Sequence, residues 1–232
     1  MLKKFGRYAG WATALLFLLA LLYHFWVLLH LLYWVSHNPT ASAFMETSLE
    51  RLREHRPRAQ LKHEWVPYNR ISNHLKRALI ASEDARFVEH RGFDWEGIQL
   101  AYEKNMEQGE IVAGGSTISQ QLAKNLFLPR SRTSWRKAEE AIITVMIEGV
   151  MSKRRILEIY MNVIEWGEGV FGAEAAARHY FGVNAAGLSA WQAAKLSAMV
   201  PRPLFYDAHR STRYLRSKTA TIQARMHLVA AP

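Results

Sequence analysis

The chain has 232 residues and a formal net charge of +10, and it contains no cysteine. This length allows one domain with a substantial core plus an appendage. The absence of cysteine excludes a disulfide framework and thiolate chemistry. The positive charge favours anionic partners, namely lipid headgroups, pyrophosphates or nucleic acid.

The first predicted element is a membrane-spanning helix. Residues 8–38 contain no Asp, Glu, Lys or Arg, and residues 11–35 are almost wholly apolar. About 25 helical residues reach roughly 37 Å, which exceeds the roughly 30 Å hydrocarbon core of a bilayer. A cleaved signal peptide is the alternative, because residues 41–43 resemble a cleavage site, but its apolar run spans only about 7–15 residues. We therefore predict a retained single span.

Flanking charges predict the orientation of this span. Lys3, Lys4 and Arg7 precede it, whereas residues 36–50 contain no Lys or Arg. By the positive-inside rule, residues 1–10 form a cytoplasmic tail and the rest of the chain crosses to the far side, where nucleic acid is not an ordinary partner. His24 and His30 face different directions on a helix, and both are predicted to be neutral passengers of the span.

The remainder of the chain is predicted to be mainly α. Residues 36–60 are polar and charged, which indicates a stalk with a short helix around residues 46–54. Helical periodicity then runs through residues 61–208, with few strand-like stretches. Residues 209–232 form a basic helix or tail, for which contact with anionic headgroups and plain solvation are equally open.

The segment from Glu83 to His90 has the residues needed to move a proton. Glu83 arrives at a helix end beside Phe87 and Phe93, so partial removal from water would make it a stronger base. The alternative is a solvated surface glutamate. Asp84 and His90 are predicted to orient neighbouring groups through hydrogen bonds.

A second segment is suited to holding an anion. Gly114-Gly115 opens a helix and lets backbone N–H groups approach an oxyanion. Thr117, Gln121 and Lys124 follow at spacings of four and three, so we expect all three to project from one helix face. An ordinary amphipathic helix with a polar outer side is the alternative.

A third helix carries Arg136 and Glu140 one turn apart. They form either an exposed pair worth a few tenths of a kcal/mol or a second carboxylate beside a guanidinium suited to phosphate. A proton acceptor beside an anion site suggests group transfer from a phosphorylated donor.

Taken in order, these segments resemble the peptidoglycan glycosyltransferase family, glycosyltransferase family 51, and especially its monofunctional, single-span members. The resemblance rests on five blocks within about residues 65–207: 83–92, 114–125, 136–140, 153–181 and 198–203. It implies a lysozyme-like, mainly α domain, held on the periplasmic side of the bacterial inner membrane. It also implies polymerisation of lipid II onto a lipid-linked strand during cell wall biosynthesis, with inversion and release of undecaprenyl pyrophosphate. Cell-wall synthesis proteins are candidate partners.

The resemblance also implies roles for individual residues. Glu83 is the base that takes the proton of the acceptor sugar hydroxyl, and Glu140 is a second catalytic glutamate. The predicted substrate-binding residues are Asp84, Phe87, His90, Gly114, Thr117, Gln121, Lys124, Asn125 and Arg136, with Lys124 and Arg136 as cationic contacts of the pyrophosphate.

Two questions stay open at this point. No metal-ligand cluster of useful spacing is present, so a divalent cation, Mg²⁺ or Mn²⁺, would be shared with the substrate pyrophosphate. The rival function is that of a membrane-anchored, lysozyme-like lytic enzyme acting on finished peptidoglycan, because such enzymes also use a leading glutamate. A non-enzymatic membrane scaffold is a more distant alternative.

Overall fold

The computed structural model describes residues 2–110, 114–131 and 133–232, with side chains from Tyr8 onward except that of residue 9. Within these ranges the chain is mainly α, which confirms the predicted fold class. The helices are α1 (Leu2–Trp34), α2 (Ala43–His55), α3 (Asn73–Glu83), α4 (Trp95–Gln108), α5 (Ile118–Phe127), α6 (Ser134–Val150), α7 (Lys153–Val163), α8 (Ala173–Phe181), α9 (Ala190–Met199), α10 (Pro203–Ala208) and α11 (Arg213–Arg225). Short 3₁₀ turns cover Tyr68–Arg70, Ala185–Gly187 and Met226–Leu228.

Helix α1 contains the predicted membrane span. Gly10–Trp34, a stretch of 25 residues, is long and apolar enough to cross a bilayer. Its second half also packs on the domain, where Val27 and Leu31 are fully buried. His24 Nε2 lies 3.1 Å from Glu139 Oε2 of α6, so His24 joins the span to the domain, while its neutral state and its absence from a proton path stay predictions. The helix rotation that buries Val27 and Leu31 also turns His24 toward α6.

The end of α1 is held by an arginine of α7. Arg155 Nε donates to the Trp34 carbonyl at 2.8 Å, and its Nη2 donates to the His37 carbonyl at 2.5 Å. Glu158 accepts from Arg155 Nη1 at 2.7 Å, which fixes the guanidinium. These bonds satisfy carbonyl groups that a helix C-terminus otherwise leaves free.

Helix α2 lies within the predicted stalk, yet it packs on the domain. Met45, Ser48 and Leu52 are buried, and Ser48 Oγ donates to Glu165 Oε1 at 2.9 Å. The helix is longer than the predicted residues 46–54 because Ser42 caps it, accepting from the Met45 N–H. The stalk prediction is therefore corrected for α2, which forms part of the domain surface.

The core is built from helices packed around α9. Helices α3 and α11 pack against α9, and α5 packs against both α6 and α7. Trp166 is fully buried, and its indole Nε1 donates to the Leu196 carbonyl at 3.1 Å, so the largest core side chain has its polar atom satisfied. Helix α11 buries Leu215, Thr219 and Ile222, so the predicted C-terminal tail is a packed helix with one solvated face.

A small three-stranded sheet lies at the edge of the core. The strands are β1 (Lys62–His63), β2 (Glu165–Gly167) and β3 (Val170–Phe171), in the order β1-β3-β2, with β1 parallel and β2 antiparallel to β3. Gly172 follows β3 at a φ of +83°, and a Cβ there would lie 2.8 Å from the Asn162 carbonyl oxygen. The turn into α8 therefore requires glycine. This sheet places Glu165 beside α2.

Candidate active site

Glu83 is the last residue of α3, as predicted, and its carboxylate faces α5. Ser82 Oγ donates to Glu83 Oε1 at 3.0 Å, and Gln121 Nε2 donates to Glu83 Oε2 at 3.0 Å. The residue is half-buried. Both donors are neutral, so among the described residues this carboxylate is oriented by hydrogen bonds without an ion pair.

Asp84 joins the end of α3 to the start of α5. Its Oδ2 accepts from the Ile118 N–H at 3.0 Å, and its Oδ1 lies 2.8 Å from His90 Nε2. The Asp84 side chain is buried. A buried carboxylate with these partners fixes the separation between Glu83 and Gln121, so Asp84 and His90 have the predicted orienting geometry.

Two predicted substrate-binding residues, Phe87 and Thr117, are buried. Phe87 is fully buried in the core. Thr117 is the N-cap of α5, where its hydroxyl accepts from the Gln120 N–H and donates to the Gly92 carbonyl at 2.6 Å. Because a cap residue lies outside the helix, Thr117 does not share a face with Gln121 and Lys124. Direct substrate contact is therefore corrected to a supporting position for Phe87. Thr117 lines a surface hollow that Glu83 also lines, so its role in substrate binding stays a prediction.

Gln121 connects Glu83 to a second part of the site. The Tyr160 hydroxyl donates to Gln121 Oε1 at 2.9 Å, which leaves the amide Nε2 to face Glu83. Burial raises the pKa of Tyr160 well above its ordinary value, and the charges of Glu83 and Asp84 raise it further. Tyr160 therefore remains a hydrogen-bond donor and fixes the amide orientation. Gly114 lines the surface hollow that Glu83 also lines.

Beyond Gln121 a cleft with a volume of about 280 Å³ opens. Among the described residues, its charged lining consists of Lys124, Arg130, Arg136 and Glu165. Asn125 also lines it, while its amide donates to the Gln121 carbonyl at 2.7 Å. Glu83 is thus hydrogen-bonded to Gln121, and Gln121 lines a positively charged cleft.

The predicted second glutamate lies behind these cations. Glu140 is buried, accepts from Arg136 Nη1 at 2.8 Å and also pairs with Lys137. Arg136 lines the cleft, and its hydrogen bond to the buried Glu140 holds the guanidinium there.

Lys124 differs from the other cleft cations. Within the part of the chain that the structure describes, its ammonium makes no hydrogen bond or ion pair, and it lies 5.8 Å from the centre of the Phe44 ring. Burial lowers the pKa of Lys124, and the charge of Arg136 also lowers it, while Glu140 and Glu83 act in the opposite direction. An ammonium in these surroundings gains from an incoming anion.

Phe44, Arg130, Glu165 and Tyr160 belong to the site but were not predicted as site residues. Phe44 lies on α2 and Glu165 on β2, so only the tertiary fold brings them to the cleft. The run of arginines after Pro129 was the available signal for Arg130. Among the residues described, no group of three or more His, Cys, Asp or Glu side chains is arranged to hold a metal ion.

The helical fold and the carboxylate beside a cationic cleft define a lysozyme-like, group-transferring class of protein. The family model described as Transglycosylase matches residues 48–227, so the chain belongs to the transglycosylase family. This confirms the family predicted from the five blocks.

Full-length relatives agree with this membership. The chain is 63% identical over 223 residues to the biosynthetic peptidoglycan transglycosylase of Methylobacillus flagellatus, covering 96% of this chain and 97% of the relative. It is 64% identical over 220 residues to the protein of that name from Laribacter hongkongensis, with 95% and 96% covered. The protein of that name from Chromobacterium violaceum is 64% identical over 212 residues, with 91% and 93% covered.

Proposed function

We propose that this chain is a peptidoglycan glycosyltransferase that polymerises lipid II into β-1,4-linked glycan strands and releases undecaprenyl pyrophosphate. The observation that carries the proposal is the link from Glu83 through Gln121 to a cleft with net positive charge. The names of the relatives support the biosynthetic direction.

In the proposed reaction Glu83 accepts the proton of the 4-hydroxyl of the acceptor sugar. The freed oxygen attacks the anomeric carbon of the lipid-linked strand, and the bond from that carbon to the pyrophosphate oxygen breaks with its electron pair. Attack and departure occur on opposite faces of the sugar, so the α-linked donor gives a β-linked product. Glu83 contributes proton removal, and its hydrogen bonds from Ser82 and Gln121 hold the reactive oxygens in place.

Departure of the pyrophosphate requires stabilisation of negative charge. Lys124 and Arg136 supply preorganised cations, which are worth several kcal/mol when they face developing charge in a site shielded from water. Glu140 contributes by holding Arg136. A divalent cation would take ligands from the substrate pyrophosphate, because the described residues offer no ligand set of their own.

Purified protein given lipid II is expected to produce lengthened glycan strands and free undecaprenyl pyrophosphate. The same protein given finished peptidoglycan is expected to release no soluble fragments. Separation of the products by gel and chromatography checks both results. Release of fragments from finished peptidoglycan without strand synthesis from lipid II would instead establish the lytic alternative.

We also propose that the N-terminus lies in the cytoplasm and the domain in the periplasm of a bacterial inner membrane. Lys3, Lys4 and Arg7 support this orientation. The catalytic domain is proposed to run from α2 through α11, instead of residues 61–208, because both helices are packed and the family match covers residues 48–227.

The orientation is testable because the chain has no cysteine, so one introduced thiol gives an unambiguous label. In intact cells with a permeable outer membrane, a thiol reagent that does not cross the inner membrane is expected to label His227→Cys but not Tyr8→Cys. Labelling of Tyr8→Cys alone would show the opposite topology, and lysed cells provide the control in which both react.

A further inference from the structure

Arg130 is the cleft cation that the mechanism has not used. It lies in the loop after α5, and its Nη2 donates to Glu165 Oε2 at 2.7 Å. Its guanidinium lies 4.3 Å from the centre of the Phe44 ring. Among the described residues, its buried Nε has no hydrogen-bond partner. An arginine stacked on one face and paired at one edge still has donors for a ligand.

The need to neutralise Glu165 does not by itself explain why Arg130 lies in the cleft. Glu165 Oε1 accepts from Ser48 Oγ at 2.9 Å, and Arg51 Nη2 lies 3.7 Å from that same oxygen. Arg51 approaches from α2 and is not among the residues that line the cleft. The carboxylate therefore has a second cation on its outer side, and Arg130 is the partner on the cleft side.

The charges of the cleft suit a pyrophosphate diester. Of the described residues that line it, Lys124, Arg130 and Arg136 are cationic and Glu165 is anionic, which leaves a net charge of +2. A pyrophosphate esterified at both ends carries about two negative charges. Without Arg130 the lining would carry +1, so Arg130 completes the match in charge.

Phe44 is a shared support for two of these cations. The Lys124 ammonium lies 5.8 Å from the centre of its ring, and the Arg130 guanidinium lies 4.3 Å from it. Such cation–π contacts favour a fixed position of the charge. Phe44 lies on α2, outside the residues 48–227 that the family match covers. The helix next to the membrane anchor therefore forms one wall of the anion site.

We infer that Arg130 is a further substrate-binding residue, which contacts the pyrophosphate of the lipid-linked donor together with Lys124 and Arg136. Phe44 and Glu165 are its positioning residues. The inference rests on the proposed function for the identity of the substrate, but the binding of a pyrophosphate group can be measured separately.

The test compares Arg130→Gln with Arg51→Gln in the full-length protein. Each variant removes one cation beside Glu165, but only Arg130 lines the cleft. For Arg130→Gln we expect a fall of about 10- to 100-fold in kcat/KM for lipid II, as for loss of a charge-assisted hydrogen bond. The affinity for inorganic pyrophosphate, measured by calorimetry, should fall in parallel. Arg51→Gln should retain both values.

Two further variants separate binding from structural support. Arg130→Lys keeps the charge without the planar fork, so it should recover part of the pyrophosphate affinity. The double variant Arg130→Gln/Glu165→Gln removes the carboxylate that Arg130 would otherwise neutralise. If Arg130 binds substrate, the double variant stays impaired. Recovery to wild-type values would show that Arg130 serves only to balance Glu165 and would overturn the inference.

The outcomes also separate the inference from the proposed function. If the wild-type protein polymerises lipid II and Arg130→Gln retains both kcat/KM and pyrophosphate affinity, the inference fails and the proposed function stands. If the wild-type protein makes no glycan but Arg130→Gln loses pyrophosphate affinity, the proposed function fails and the anion site stands. Melting temperatures within a few degrees of wild type are required of every variant compared.

Discussion

Glu83→Gln is expected to abolish glycan polymerisation while leaving lipid II binding largely intact. Loss of a general base costs about 10²- to 10⁴-fold in rate. The amide has nearly the shape of the carboxylate, and its oxygen can still accept from Gln121 Nε2, which donates to Glu83 at 3.0 Å. The change therefore removes proton acceptance and preserves most of the packing.

The measurement is the initial rate of strand synthesis from lipid II, with binding followed by co-sedimentation with vesicles that contain it. Glu89→Gln is the matched control, because Glu89 lies six residues away, is exposed and pairs with Arg86 at the surface. It should retain wild-type activity. An active Glu83→Gln enzyme would remove Glu83 from the role of base.

Lys124→Met is expected to change activity and stability in opposite directions. Without the ammonium, the departing pyrophosphate loses one preorganised cation, and kcat should fall about 10²- to 10³-fold. The half-buried ammonium also has no hydrogen bond or ion pair within the described residues, so an apolar side chain of similar length should relieve its desolvation. We expect the melting temperature to rise, by about 2–4 °C for each kcal/mol gained.

The pH dependence gives a second check on Lys124. Burial lowers its pKa from the ordinary value of 10.5, so the unfolded chain binds this proton more tightly than the folded one. The resulting destabilisation of the folded state is greatest below the lowered pKa, where Lys124 is protonated in both the folded and the unfolded chain. It decreases as pH rises toward 10.5. The stability advantage of Lys124→Met over wild type should therefore narrow in alkaline solution.

Lys195→Met is the matched control for the activity measurement. Lys195 is also half-buried, also has a pKa lowered by burial, and lies 5.2 Å from the centre of the Trp191 ring, but it does not line the cleft. Its replacement should leave polymerisation unchanged. Loss of activity in Lys195→Met equal to that in Lys124→Met would mean that the effect is not specific to the cleft.

The parts of the site that were predictable depend on local spacing. Gln121 and Lys124 follow from helical periodicity within α5, and Glu83 follows from the end of α3. Thr117 was predicted to share a helix face with Gln121 and Lys124, but it is the N-cap of α5, and the helix begins at the next residue, Ile118. Phe87 was misassigned because burial depends on packing between helices, which a single segment does not reveal.

Other features depend on residues far apart in the chain. Phe44 and Arg130 meet across 86 positions, and His24 meets Glu139 across 115. Helix α4 was not predicted because none of its residues is buried, so it lacks the apolar stripe facing a core that periodicity detects. Its local signals were the cap, Asp94, which accepts from the Gly97 N–H, and Gly109, which ends the helix in the left-handed conformation.

Arg155 donates hydrogen bonds to the last carbonyl of α1 and to the His37 carbonyl, and these bonds affect how the enzyme meets its substrates. Because these bonds join α7 directly to the end of α1, they restrict rotation of the domain relative to the predicted span. Under the proposed function, the anchored enzyme and its prenyl-linked substrates meet by diffusion in the plane of one membrane. The span therefore orients the domain as well as attaching it to the membrane.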